Sequence, residues 1–186
     1  MTPYQTHVAK WSNCTKCSLC KNRTNVVFAR GTIPCDVLFI GEAPGASEDV
    51  LRKPFIGPAG KLLDDLIFDA TGILTQKQVG TRIAFTNLVI CLPDSVEGKI
   101  QPPNEIAVKA CAPRLVEFIT LCEPSIVILT GKLTTEWFPS DKFPDVLKFE
   151  IIHPSAILQM DISRKGLAIK RTTEMIKKAF DSLVPF

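Results

Sequence analysis

Three cysteines fall within one short run, Cys14-Thr15-Lys16-Cys17-Ser18-Leu19-Cys20, as two overlapping CxxC units. That spacing lets two thiolates converge on one metal ion or cluster, and a closed site needs about four ligands. Cys91, just after an apolar strand-like run, and Cys111, inside a helical pattern, are the natural candidates for the rest. Lys16, Lys21 and Arg23 stand close by in the chain and are expected to favour the ligating thiolate. On spacing alone the second ligand is either Cys17 or Cys20. The two remaining cysteines, Cys35 and Cys122, are flanked by apolar segments and read as small buried hydrophobes.

A second set of residues follows the apolar runs. The loop Gly41-Glu42-Ala43-Pro44-Gly45 suits a tight turn with exposed backbone N–H groups and carries a carboxylate able to orient or deprotonate a water. It lacks the Gly-Lys-Ser/Thr ending of a phosphate-cradling loop. Asn87 offers an amide that pairs with both a carbonyl and an imide N–H on a pyrimidine edge. His153 can donate to an oxygen that gains negative charge in a transition state. Phe55, in Lys53-Pro54-Phe55-Ile56-Gly57, offers a flat stacking face. Each also has a plainer reading: Glu42 as a helix cap, Asn87 as a partner for turn backbone, His153 as a structural residue before proline, Phe55 as core.

The elements that must position these groups are read from periodicity. Short apolar runs at Val37–Gly41, 83–86 extending to 90, 125–130 and 149–152 read as buried strands. Helical patterns lie between and after them at 60–71, 103–122 and 164–183, with Pro113 dividing or kinking the second and Pro185 following the last. Alternating strands and helices predict an α/β fold, a three-layer αβα sandwich with a central, mainly parallel, four-stranded sheet. Ligands in such folds gather at the carboxyl ends of the strands, where the loop at 41–45, Asn87 and His153 all fall.

The 186 residues are 46% hydrophobic and 22% charged, which fits one globular domain and excludes a disordered tail or a coiled coil. Apolar stretches of four residues are far short of the roughly 20 that cross a bilayer, so no membrane partner is expected. The opening segment MTPYQTHVAKWSNC has neither the apolar run nor the cleavage site of a secretory signal, and a cytoplasmic location is the expectation. Net charge is +3, with Lys10, Lys16, Lys21, Arg23 and Arg30 and no acidic residue in positions 1–35. A polyanion would prefer the two basic ends of the chain.

Taken together, these motifs resemble the iron–sulfur, or family 4, uracil-DNA glycosylases. The match runs through Cys14–Cys17, Gly41-Glu42-Ala43-Pro44-Gly45 with Glu48-Asp49, Pro54-Phe55-Ile56-Gly57-Pro58-Ala59-Gly60-Lys61-Leu62-Leu63, Thr86-Asn87-Leu88-Val89, Cys91, Cys111 and His153-Pro154-Ser155-Ala156-Ile157-Leu158. The resemblance implies a structural [4Fe–4S] cluster on Cys14, Cys17, Cys91 and Cys111, with residues 1–35 packed on it as part of a single domain, 1–186. It further implies a monofunctional enzyme that hydrolyses the N-glycosidic bond of a flipped deoxyuridine, in single- or double-stranded DNA, to start base-excision repair. Phe55 would stack on the base, Asn87 read its edge, His153 stabilise its O2 and Glu42 position the water. Glu48 is a further candidate carboxylate, and backbone around Ala43 lines the pocket. Ser155 and Leu158 would face DNA, with Leu158 as a wedge in the loop after His153. No lysine stands where a Schiff base would need one, Lys132 being the nearest. The segment 92–99 replaces the family's usual Arg-Pro-Pro and is expected to alter DNA contact or substrate choice. A monomer is expected. The competing expectation is a DNA-binding accessory module of a replication assembly that keeps the fold and cluster without the activity.

Overall fold

The computed structural model describes residues 1–75, 77 and 80–183. Its strands are β1 (Arg30–Gly31), β2 (Val37–Gly41), β3 (Ile83–Asn87), β4 (Ser95–Val96), β5 (Lys99–Ile100), β6 (Ile126–Thr130) and β7 (Leu147–Ile151). The helices are α1 (Pro3–Trp11), α2 (Ala46–Leu51), α3 (Pro58–Thr71), α4 (Glu105–Cys122), α5 (Lys132–Trp137), α6 (Pro154–Gln159) and α7 (Ile162–Asp181), with a 3-10 turn at Ser18–Lys21.

Among the described residues the main sheet has five strands, in the order β1-β3-β2-β6-β7, rather than four. The extra strand is β1, whose Arg30 and Gly31 pair antiparallel with Phe85 and Ala84. Two residues without apolar alternation leave no signal in the sequence; the open edge of β3 recruits them. The other pairings are parallel, with Gly41 beside Asn87 and Thr130 beside Ile151, so the strand ends lie level along one rim.

β2, β3 and β6 are buried at every position, because helices cover both faces. Leu38, Ile40, Ala84, Val127 and Leu129 pack against Leu115, Phe118 and Ile119 of α4 and Trp11 of α1. On the opposite face Phe39, Phe85 and Ile128 pack against Leu63, Leu66 and Ile67 of α3 and Ile176 and Ala179 of α7. This is the expected three-layer αβα sandwich.

Boundaries moved for identifiable reasons. Residues 88–90 are buried but leave the ladder after Asn87: Leu88 and Val89 donate their N–H groups to the carbonyls of Gly41 (2.8 Å) and Glu42 (3.2 Å), which fastens the glycine loop. The helix α4 runs unbroken through Pro113 instead of dividing there. Pro113 and Lys109 are both exposed, so the carbonyl of Lys109 that a proline cannot serve is open to water. Pro185 lies outside the described residues. The segment 92–99 builds a hairpin, β4–β5, turned by Glu97 (φ 49°) and Gly98 (φ 75°), the paired left-handed residues of a two-residue hairpin turn. Among the described residues no helix is long and apolar enough to cross a membrane.

Candidate active site

A cleft of about 910 Å³ opens along the rim of strand ends and is lined by Glu42, Ala43, Phe55, Asn87 and His153. Asn87 closes β3 and is 2% exposed, and its Nδ2 is buried with no hydrogen-bond partner. A buried amide donor left unpaired costs about 1–3 kcal/mol, which argues for a carbonyl arriving from outside the chain. The ring of Phe55 stands beside it. A methyl group built on Gly41 would come within 2.6 Å of Phe55 Cζ and closer still to Asn87 Oδ1, so both side chains crowd onto that glycine. Phe55 occupies the left-handed region at φ 56°, a strained place for a bulky residue, and its ring leans on Phe85 at 5.6 Å.

Glu42 and His153 meet over Gly131. A methyl group there would lie 3.0 Å from Glu42 Oε1 and 3.1 and 3.4 Å from Cβ and Cδ2 of His153. Burial raises the Glu42 pKa above the usual glutamate value, and no cation or donor offsets it. His153 caps α6: its Nδ1 accepts the Ser155 N–H at 3.2 Å and lies 2.6 Å from Ser155 Oγ. An Nδ1 that accepts a backbone N–H carries no proton, so the neutral ring holds its proton on Nε2. Burial keeps the ring neutral by pushing its pKa below the ordinary histidine value. The structural reading of His153 and a donor role are therefore compatible, since the cap selects the tautomer with its proton on Nε2.

Two of the expected site residues are engaged by partners within the chain. The oxygens of Glu48 accept the N–H groups of Gly45 (3.0 Å) and Ile56 (3.1 Å). Glu48 thus clamps the glycine loop to the Phe55 segment, and it lines the cleft as well. Ser155 is engaged on His153 rather than turned to DNA, although it still borders the cleft. Leu158 lies on the short helix α6, not in a loop, and is 38% exposed. Lys132 does not line the cleft; the lysine that does is the exposed Lys99 of the hairpin.

Cys14, Cys17, Cys91 and Cys111 line one small cavity between the N-terminal segment, the chain after β3 and α4, and Cys20 is not in its lining. Arg23 Nη1 donates to Cys91 Sγ at 3.2 Å. The expectation that Lys16, Lys21 and Arg23 favour thiolates is met in part: Arg23 lowers the Cys91 pKa and Lys16 borders the cavity while sitting over the Trp11 ring at 4.8 Å, but burial outweighs them, raising Cys17 and pushing Cys91 up to about 11. Such thiols ionise when an electrophilic metal replaces the proton. Among the described residues no group of three or more ligating side chains is gathered tightly enough for one metal ion. Four cysteines around one small cavity are the thiolate set that an iron–sulfur cluster would need.

The model of the Uracil DNA glycosylase superfamily matches residues 28–183. The chain belongs to that superfamily. Within it the chain falls in the type-4 family. It is 39% identical over 124 residues to the type-4 uracil-DNA glycosylase of Saccharolobus solfataricus, covering 67% of this chain and 53% of that one. It is 30% identical over 175 residues to the type-4 enzyme of Sulfurisphaera tokodaii, covering 83% and 76%. The type-4 enzyme of Thermotoga maritima is 33% identical over 135 residues, covering 73% and 65%. The chain thus spans about half the length of one of these relatives and three quarters of another.

The structure gives three further parts of this site contacts that the sequence reading did not assign to them. The hairpin lends Gly98 to Ile100 to the cleft wall, and Gln101 and Gln159 join the lining. Gly60 passes against the backbone of Phe55 and holds it in place. Arg114, fully buried in α4, donates to Thr86 and to the carbonyls of Asn87 and Leu88. An arginine on the buried face of an apolar helix was the one available signal.

Proposed function

We propose that the chain is a monofunctional uracil-DNA glycosylase that hydrolyses the N-glycosidic bond of a flipped deoxyuridine and leaves an abasic site. The observation that carries this reading is the unpartnered amide of Asn87 in a cleft that also holds a neutral, Nε2-protonated His153. A base inside a duplex is unreachable, so the nucleotide leaves the stack at a cost of a few kcal/mol. Leu158, exposed on α6, fills the gap, and Phe55 stacks on the extruded ring. Asn87 gives its orphan Nδ2–H to uracil O4 and takes the N3–H on Oδ1, a pairing that cytosine reverses and so loses. As the bond to the sugar lengthens, charge builds on the base, and His153 Nε2–H donates to O2. Glu42, ionised, orients water toward the oxocarbenium-like sugar carbon and takes its proton. Glu48 and Ser155 act as positioning residues. Seven cysteines outside disulfides and a DNA substrate both argue for work inside the cell.

Cys14, Cys17, Cys91 and Cys111 would hold a [4Fe–4S] cluster, and residues 1–35 belong with it to one domain rather than to a unit of their own. The cluster supplies structure, tying the N-terminal segment to the chain after β3. Cys91→Ala is expected to abolish the protein's broad visible absorbance and its bound iron. A colourless wild-type protein with one zinc would overturn the cluster.

The deciding experiment is cleavage of a uracil-containing oligonucleotide after alkaline treatment, with wild type beside His153→Ala. Alkali-dependent breaks in wild type, reduced about 100-fold or more in the variant, are the expected result. Intact DNA with retained binding would leave the accessory-module role in its place, and breaks without alkali would point to a lyase using Lys99.

The raised pKa of Glu42 sets a pH dependence. Activity needs its carboxylate, so kcat/KM is expected to fall as pH drops, with a midpoint above that of an ordinary glutamate, and Glu42→Gln to remove most activity along with that limb. A carboxyl whose folded pKa is raised destabilises the fold once it ionises. At neutral pH the glutamine variant is therefore expected to melt higher than wild type, a result that pH–rate profiles and thermal melts check together.

A further inference from the structure

Arg114 is the largest of the fully buried side chains. Among the described residues it has no carboxylate within ion-pair distance. Its Nη1 donates to Thr86 Oγ1 at 3.0 Å, and its Nη2 to the carbonyls of Asn87 and Leu88, the latter at 3.0 Å. The same Nη2 lies 4.0 Å from Cys111 Sγ, one helical turn away, and Nε is buried without a partner. Carbonyls and a hydroxyl satisfy donors but do not cancel a charge, and a buried cation with no counter-charge is strongly destabilising. A thiolate-ligated cluster at Cys111 would supply an anion at that distance. Arg23 makes the matching approach to Cys91 from the N-terminal segment.

We infer that Arg114 is a positioning residue that couples the cysteine centre to uracil recognition, drawing its counter-charge from the cluster and holding the backbone of Asn87 with the same guanidinium. This rests on the glycosylase reading for the roles of Asn87 and the cluster. The fork spans three consecutive residues, Thr86, Asn87 and Leu88, and so fixes where β3 ends and how the Asn87 side chain leaves it. Thr86 Oγ1 passes the constraint on by donating to the Phe28 carbonyl at 2.8 Å. Asn87 closes β3, and Arg114 would tie that strand end to the cysteine centre. Arginine suits this because its donors are planar and fixed, which lysine cannot reproduce.

The test uses iron-loaded protein carrying Arg114→Met or Arg114→Lys, with two readouts besides activity: the reduction potential of the cluster and the affinity for free uracil. Net charge and hydrogen bonds to the sulfurs set such potentials. The methionine variant is expected to shift the potential to more negative values and to bind uracil about ten- to a hundredfold more weakly. The lysine variant, which keeps the charge but loses the fork, is expected to hold the potential nearer to wild type while losing uracil affinity to a similar extent. Affinity for undamaged DNA should stay unchanged in both. If the methionine variant does not fold, the lysine variant decides: uracil affinity equal to wild type overturns the inference. Lower melting temperatures with unchanged potential and uracil affinity would reduce Arg114 to a core residue. Wild-type protein that binds no uracil and excises none overturns the glycosylase reading instead, an outcome separate from either variant.

Discussion

Asn87→Ala is expected to lower kcat/KM for uracil excision by about a thousandfold while leaving the fold as stable as before or slightly more so. The first half follows from what the amide does: it supplies a donor and an acceptor in a water-poor cleft, and loss of one such donor already costs about 100- to 1,000-fold. The second half follows from what it does not do. Its Nδ2 has no partner among the described residues, so truncation removes a buried unsatisfied atom instead of orphaning a neighbour. The backbone carbonyl that Arg114 holds is untouched. Activity and stability thus move apart, as they do where a site is kept ready for a ligand at the expense of the fold. Single-turnover excision and thermal melting on the same preparation check both halves. Excision within tenfold of wild type would remove Asn87 from recognition, and a large fall in melting temperature would mean that its amide is structural after all.

Of the residues assigned to the cleft, Glu42, Asn87 and His153 were legible because each follows an apolar strand, and parallel strands of similar length end on one rim. Gly41 lies beside Asn87 in register, and His153 follows the end of β7, which pairs with β6 up to Thr130. What could not be read were the residues whose role is set by a partner distant in the chain. Glu48 looks like any loop carboxylate until Gly45 and Ile56 are seen to donate to it. Ser155 sits in a motif that suggests DNA, and only the rotation of the His153 ring turns it into a tautomer lock. The strand β1 exists because β3 has an open edge, and the hairpin because Glu97 and Gly98 share a turn that needs two left-handed residues. Pro113 was a sound reason to expect a break, and its exposed flank removed the penalty. The basic residues near the cysteines were a weaker guide, because burial outweighs the arginine that reaches Cys91.

Gly60→Ala is expected to damage the enzyme more than any other single-methyl change in α3. A Cβ at Gly60 would fall inside van der Waals contact of the Phe55 carbonyl carbon and oxygen, both backbone atoms that no rotamer change can withdraw. Phe55 must therefore move as a unit from a left-handed conformation that only its surroundings enforce. Overpacking of this kind costs about 1–3 kcal/mol or more, and a stacking ring displaced by about an ångström costs on the order of a hundredfold in rate. Gly41→Ala has a different signature, because its methyl would meet the tips of Phe55 and Asn87, the two groups assigned to the base. Uracil excision should fall at least as far there, with a smaller loss of stability, since side-chain ends yield more readily than backbone. Gly166→Ala is the control: it lies exposed in α7 with nothing within 4 Å of its added methyl, and should gain about 1 kcal/mol with activity unchanged. If Gly60→Ala melts and cleaves like wild type, Phe55 is not held by that contact, and its strained backbone has some other cause.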